Sequence, residues 1–194
     1  KYHNRDERRA LLRAADFADA KTGLLIATLI YTGARLSEAL AIREHDIRLN
    51  EGTPTIRLRT LKKKKGSKPV YRYIPIPPAL LKNLTILFNI GQPKNNDGTK
   101  KDPDQLLWPW SRQTAWKRIK PVMLASGIDK RLANARAIRS GYGVAAVLAK
   151  PPVPITTLSE SLGHSSLSST RPYYQLAAVE FAEAVQPMWD DLEG

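Results

Sequence analysis

The 194-residue chain contains no cysteine, so it can form neither a disulfide nor a thiolate metal site. Histidine is nearly as scarce. His3, His45 and His164 stand singly, which leaves a protein-built transition-metal centre without its usual ligands. No apolar run approaches the ~20 residues that a membrane-spanning helix needs, and the opening KYHNRDERR has no secretory apolar region. Neither a GxxxxGK(S/T) loop for nucleotide phosphates nor a GxSxG elbow for a nucleophilic serine is present. Negative charge is also in short supply. Asp plus Glu number 18 against 31 for Lys plus Arg, a formal net charge of +13. Such an imbalance points to a polyanionic partner, most often nucleic acid. No helix has the bulky apolar face that lying in a membrane interface demands. These traits predict a soluble single domain of a reducing compartment, with a core large enough to need no staples, no cofactor and no membrane association.

Hydrophobic periodicity divides the chain. Asn4–Ala20 is expected to be helical, with Asn4 as N-cap and Leu11, Leu12, Ala15 and Ala18 at helical spacing. Gly23 is expected to interrupt before a buried helix at Leu24–Tyr31, apolar on all sides. After the Thr32-Gly33 turn, Arg35–Arg43 reads as a helix with Leu36, Leu40 and Ile42 inward. Thr55–Leu61 and Val70–Ile76 alternate with period two around KKKKGSK, which predicts a β-hairpin with a cationic tip. Ala79–Ile90 follows as an amphipathic helix, Gly91–Asp104 as an exposed loop, and Ser111 caps a helix to about Ser126. That helix turns Trp116, Ile119 and Met123 to one face and Arg112, Lys117, Arg118 and Lys120 to the others. Ala137–Ala149 is a close-packed helix led by Arg136 and Arg139. Pro151–Pro154 is a rigid linker, and Thr156 or Thr157 caps a short helix ending at Gly163. Ala177–Trp189 is the last helix. The predicted fold class is mainly α (α+β), a helical bundle with a small antiparallel sheet.

Four stretches carry chemistry: TGARLSE at Thr32–Glu38, the lysine hairpin at Lys62–Lys68, RAIRSGYG at Arg136–Gly143, and LGHSSLSSTRPYY at Leu162–Tyr174. Taken singly each has an ordinary structural reading. Arg35 pairs with Glu38 one turn on, the lysines form a solvated loop, His164 caps a helix, and Tyr173 and Tyr174 are core aromatics. Either tyrosine, or any of Ser165, Ser166, Ser168 and Ser169, remains open as a nucleophile at this level.

In this order the four stretches resemble the catalytic domain of the tyrosine recombinase (phage integrase) family, over nearly the whole chain. The family's marks are an arginine in a TGxRxxE box, a hairpin lysine, an HxxR-type box, and LGH with a tyrosine nine residues after the histidine. Arg35, Arg139, His164 and Tyr173 match those positions. The interval from His164 makes Tyr173, not Tyr174, the nucleophile by resemblance. Arg136 stands where the family usually has histidine or lysine; it keeps the positive charge but cannot exchange a proton near neutral pH. Lys62 follows the first strand as the family's lysine does, with Lys65 the alternative, and Lys65 and Lys68 are expected to contact DNA. Arg112, Lys117 and Lys120 are candidates to reach bases or phosphates from the Ser111–Ser126 helix, which in the family enters a major groove.

The residue types suit the chemistry that the resemblance implies. A tyrosine attacking a DNA phosphodiester gathers extra negative charge on the non-bridging oxygens, which the planar forks of two arginines match. Losing one donor aimed at developing charge costs on the order of 3–4 kcal/mol. His164 can bond the same phosphate, and a hairpin lysine can protonate the leaving 5′ oxygen. Free tyrosine ionises only near pH ~10, so a cationic pocket is needed. The resemblance further implies a 3′-phosphotyrosyl intermediate, rejoining by a 5′ hydroxyl without metal or ATP, and a homotetramer on specific double-stranded DNA sites. The C-terminal helix, about residues 177–190, would pack on a neighbouring subunit. A separate N-terminal DNA-clamping domain is expected beyond this chain, and the setting is a prokaryotic or mobile-element cytoplasm, on the nucleoid. Two other readings stand beside it: a type IB topoisomerase-like relaxing activity, and a basic DNA-binding module that has lost catalysis.

Overall fold

The computed structural model describes residues 2–50, 52–60, 69–102, 104–178 and 181–182. Lys62, Lys65 and Lys68 lie outside the described residues, as does most of the expected last helix Ala177–Trp189.

The first helix, α1 (Arg5–Asp16), starts at a capping box: Glu7 N–H donates to Asn4 Oδ1 at 2.9 Å, and Asn4 N–H donates back to Glu7 Oε2 at 2.8 Å. It stops short of the expected Ala20 because Asp19 accepts from Thr22 N–H and caps the next helix. That helix, α2 (Ala20–Thr32), runs straight through Gly23 instead of being broken there. A Cβ on Gly23 would lie 2.4 Å from the Ala15 carbonyl oxygen, so the glycine serves a close crossing of α1 and α2. With Leu25, Ile26, Leu29 and Ile30 buried, α2 is the central rod, touching α1, α3 (Leu36–Ala39), α4 (Pro78–Phe88), α5 (Arg112–Ala125) and α6 (Ala135–Val147).

The helix expected over Arg35–Arg43 is a single turn, α3. Leu36, Leu40 and Ile42 are buried as expected, but Arg43 N–H donates to Asp46 Oδ2 and opens a 3₁₀ turn at Glu44–Asp46. That turn leads into a strand absent from the sequence reading. The sheet therefore has three antiparallel strands, β1 (Ile47–Asn50), β2 (Thr53–Arg59) and β3 (Tyr71–Pro75), in order β1-β2-β3. Ile47 pairs with Ile56, and Ile56 with Ile74. Ile56, Leu58, Ile74 and Ile76 face the core, and Arg72, on the same side of β3, is buried with them. On the other face the Arg57 guanidinium lies 4.8 Å from the Tyr71 ring centroid and that of Arg48 lies 5.7 Å from Tyr73.

Helix α4 leads to the irregular Gly91–Asp104 stretch, pinned by Lys101 Nζ on Glu44 at 2.5 Å and by Gly91 N–H on the same carboxylate at 2.7 Å. Ser111 caps α5 through Thr114 N–H, with Ile119 and Met123 buried as expected. Helix α6 begins two residues before its predicted start because Asn134 caps it, accepting from Ala137 N–H at 2.9 Å. The next helix, α7 (Ile155–Leu162), is capped at Pro154, so neither Thr156 nor Thr157 is the cap. Gly163 ends it in the left-handed region (φ 61°). A 3₁₀ turn at Leu167–Ser169 then leads into a helix over residues 171–178, here α8.

Candidate active site

The site is assembled by the ends of α2 and α7 and by one face of α6. Gly33 ends α2 with φ 60°, and a Cβ there would meet the Tyr142 ring at 2.5 Å. Its neighbour Thr32 donates to Thr28 O (2.6 Å) and accepts from Ala34 N–H (3.2 Å), which fixes the turn that presents Arg35. Arg35 Nη1 donates to Glu38 Oε1 at 2.8 Å, and Arg35 N–H donates to Oε2 at 3.0 Å. The ion pair foreseen as Arg35's structural role is therefore real, yet the arginine side chain keeps 32% of its surface open. It serves both the fold and the groove.

Glu38 is the electrostatic floor. Its side chain has no exposed surface and also accepts from Arg72 Nη2 at 2.6 Å, while Arg139 Nη1 stands 4.0 Å away. Burial alone pushes its carboxyl up, but the hydrogen bond and charge of Arg72, together with the Arg35 bonds, hold it below the ordinary value. Arg72 donates its Nε to Ser161 O (2.7 Å) and Nη1 to Thr60 Oγ1 (3.1 Å). It thus ties the root of the hairpin to the end of α7. Gly163 makes room for it, since a Cβ there would lie 3.0 Å from both Arg72 Nη1 and Thr60 Oγ1.

Arg139 reaches the same centre from α6. Its Nη1 donates to Gly33 O at 2.8 Å and its Nη2 to Leu162 O at 2.5 Å, so it links the TG turn to the LG turn. Burial, and then the charge of Arg35, lower its pKa to about 10, which leaves it cationic at neutral pH. Arg136, Arg139 and Ser140 line the groove from α6. Gly143 is where the tyrosine rests: a Cβ would come within 2.7 Å of the Tyr173 ring.

His164 leaves the α7 cap with its backbone N–H on Ser159 O. Its Nδ1 lies 2.8 Å from Thr170 Oγ1, and its ring is stacked on Tyr173 with centroids 6.1 Å apart at 14°. Burial, then the charges of Arg139, Arg35 and Arg72, push its pKa down to about 4, so the ring is neutral at neutral pH. Tyr174 is turned away, with its hydroxyl donating to Val153 O at 2.9 Å.

A groove of about 1400 Å³ is lined by Arg35, Arg112, Arg136, Arg139, His164 and Tyr173 among others. Six sequence candidates therefore meet in one place. The side chains of Arg136 and Arg112 are exposed there and make no hydrogen bond or ion pair among the described residues. Lys117 and Lys120 do not line the groove; Lys117 is exposed on α5 and Lys120 Nζ lies 5.9 Å from the Trp116 ring centroid. Arg72, Thr60 and Thr170 belong to the site and were missed. Their signal is faint: single polar residues in a strand, at a strand end and in a serine-rich turn.

The mainly helical fold with its small antiparallel sheet is that of the tyrosine recombinase class. The chain belongs to the phage integrase family, whose family model matches residues 1–180. Among its relatives, a resolvase of Escherichia coli is 26% identical over 183 residues, covering 84% of this chain and 70% of that protein. Tyrosine recombinase XerA of Pyrococcus furiosus is 30% identical over 170 residues, covering 84% of this chain and 53% of that protein. XerH of Campylobacter jejuni is 28% identical over 183 residues, covering 89% and 47%. The chain thus spans about half the length of these two recombinases. Its fold is similar to XerH bound to difH substrate in a pre-cleavage complex (TM-score 0.69, 23% identity, 89% of this chain and 50% of that one). It is also similar to the crystal structure of XerA recombinase (TM-score 0.67, 21% identity, 96% and 64%). Among the described residues no helix is long and apolar enough to cross a membrane.

Proposed function

We propose that the chain cuts and rejoins DNA at specific sites by transesterification, with Tyr173 as nucleophile. The observation that carries this reading is the meeting of Arg35, Arg139, His164 and Tyr173 in one groove, four positions spread over most of the sequence. The Tyr173 phenolic oxygen attacks the phosphorus; the bond to the 5′ oxygen breaks, and a 3′-phosphotyrosyl ester forms. The phenolic proton passes to solvent water, and the leaving 5′ oxygen gains one from the hairpin lysine, Lys62 or Lys65, as general acid. Attack of a 5′ hydroxyl on that ester reverses the step and frees the tyrosine, so no phosphate bond energy is lost and no ATP is consumed.

Arg35 and Arg139 hold the non-bridging oxygens as charge develops on them. Both are anchored through Glu38 or backbone carbonyls, so little reorganisation is needed. His164 adds a hydrogen bond from a neutral ring. Arg136 brings positive charge and donors but no proton transfer. Arg112 extends the phosphate-tracking surface, with Lys65, Lys68, Lys117 and Lys120 as outlying DNA contacts. The choice of Tyr173 over Tyr174 is supported by Tyr174's bond to Val153 O. The working form is a homotetramer on two double-stranded DNA sites, joined through the C-terminal helix.

The reading is tested with a suicide DNA substrate whose nicked product diffuses away. The wild-type chain accumulates a covalent 3′ adduct, and Tyr173→Phe gives none while its DNA affinity stays nearly unchanged. An adduct that persists in Tyr173→Phe overturns the assignment. A substrate with two sites then separates strand exchange from simple relaxation of supercoils.

A further inference from the structure

We propose that the buried hydroxyl of Thr170 is a positioning group that donates a hydrogen bond to Nδ1 of His164 and so holds the histidine in the tautomer with its proton on Nε2. This rests on the reading of His164 as a phosphate-facing residue of the groove.

Thr170 sits at the C-terminal end of the 3₁₀ turn, six residues after His164, and is wholly inaccessible to solvent. Its Oγ1 lies 2.8 Å from His164 Nδ1, and the hydroxyl has no other hydrogen-bond partner among the described residues. Backbone bonds from Thr170 N–H to Leu167 O and from Tyr173 N–H to Thr170 O fix the threonine between the histidine and the tyrosine.

Two arrangements satisfy that distance. In one, Nδ1–H donates to the hydroxyl, whose own proton is then buried without an acceptor. In the other, the hydroxyl donates to the Nδ1 lone pair, and only acceptor capacity is left over. An unmet buried donor is the costlier of the two, so the second arrangement is the stable one.

The consequence reaches the groove. A neutral imidazole carries one N–H, and the hydrogen bond at one ring nitrogen decides which nitrogen bears it. With Nδ1 occupied as an acceptor, Nε2 bears the proton and offers a donor to a bound phosphate. The opposite tautomer would aim a lone pair at the phosphate oxygens and repel them. His164 is in the state where this matters, because burial and the neighbouring arginines keep the ring neutral. Its stacking on Tyr173 means that a ring turned by a lost bond would also disturb the nucleophile. In the run SSLSST only the last hydroxyl is fully buried.

The test uses the ¹⁵N-labelled chain without DNA. Long-range ¹H–¹⁵N correlation at pH 7 reads the tautomer of the His164 ring directly. The expected spectrum is that of an Nε2–H imidazole in the wild type and in Thr170→Ser, and of a tautomer mixture in Thr170→Val. In the suicide-substrate assay Thr170→Val slows adduct formation by roughly 10–100-fold, the size of loss seen when a metal-bound histidine loses the partner that orients it, and Thr170→Ser restores it. An Nδ1–H imidazole in the wild type overturns the proposal even if Thr170→Val fails to fold. So does a Thr170→Val chain with wild-type tautomer and rate. A wild-type Nε2–H signal without any covalent adduct would leave the positioning role standing and refute the recombinase chemistry instead.

Discussion

Replacing Glu38 with glutamine probes the floor of the groove without changing its shape. The carboxylate has no exposed surface and accepts from Arg72 at 2.6 Å and from Arg35 at 2.8 and 3.0 Å, with Arg139 at 4.0 Å. Arg72 and Arg139 are themselves more than nine-tenths buried. Glutamine keeps one acceptor oxygen but turns an NH₂ toward a guanidinium, and it removes the one negative charge that, among the described residues, sits between three arginines. Removing one partner of a buried pair costs about 3–5 kcal/mol, because the remaining charge is stranded. For a chain of this size that corresponds to a fall in Tm of about 6–20 °C. Urea unfolding followed by circular dichroism measures it, with the midpoint lowered and the slope unchanged. The double variant Glu38→Gln/Arg72→Met recovers part of the loss, since well-packed apolar replacements of buried pairs are often nearly neutral. A Glu38→Gln loss below about 1 kcal/mol, typical of exposed pairs, would refute the stranded-charge argument. The pH dependence has a defined sign. Glu38's folded pKa is depressed below 4.5, so its contribution is present above that value and lost as pH falls through the folded pKa.

Four further outcomes follow from the same geometry. Gly143→Ala places a methyl within 2.7 Å of the Tyr173 ring and should slow adduct formation by on the order of 100-fold, as about 1 Å of misplacement does. Gly23→Ala forces a methyl against the Ala15 carbonyl at 2.4 Å and should destabilise the chain by about 1–3 kcal/mol in urea titrations, as overpacking does. His164 has its pKa lowered from 6.5 to about 4, so the unfolded chain takes up a proton in that window and the folded chain does not. Stability therefore falls as pH drops from about 6.5 to about 4, and His164→Asn should flatten that part of the urea-midpoint profile. DNA affinity should fall steeply with salt through counterion release, and Arg112→Ala should lower the slope of log K against log salt by about one; a flat response speaks against a phosphate-tracking groove.

Much of this architecture was legible in the chain, for reasons that differ by element. Asn4 and Ser111 announce helix starts locally, and in the structure each side chain accepts a backbone N–H from its first turn. Three of the four boxes, at Thr32–Glu38, Arg136–Gly143 and Leu162–Tyr174, contribute residues to the groove and were legible by order and spacing, which no single box supports. Gly23 misled because propensity sees a helix breaker where tertiary packing needs the missing Cβ. Strand β1 was invisible because Ile47–Asn50 offers too few residues to show an alternation. Arg72 was the least foreseeable. In VYRYIPI either set of alternate residues could face inward, and the partner that neutralises the buried Arg72 is Glu38, 34 positions upstream. Thr170 was hidden for the opposite reason, as one hydroxyl in a run of similar ones.

The proposed chemistry stands or falls on a covalent bond between Tyr173 and DNA. Its most direct test is mass spectrometry of the proteolysed, nuclease-trimmed adduct from a suicide substrate. The expected product is a nucleotide attached through its 3′ phosphate to the tyrosine nine residues after His164. A nucleotide carried by Tyr174, by one of the serines from Ser165 to Ser169, or by no residue at all would contradict it.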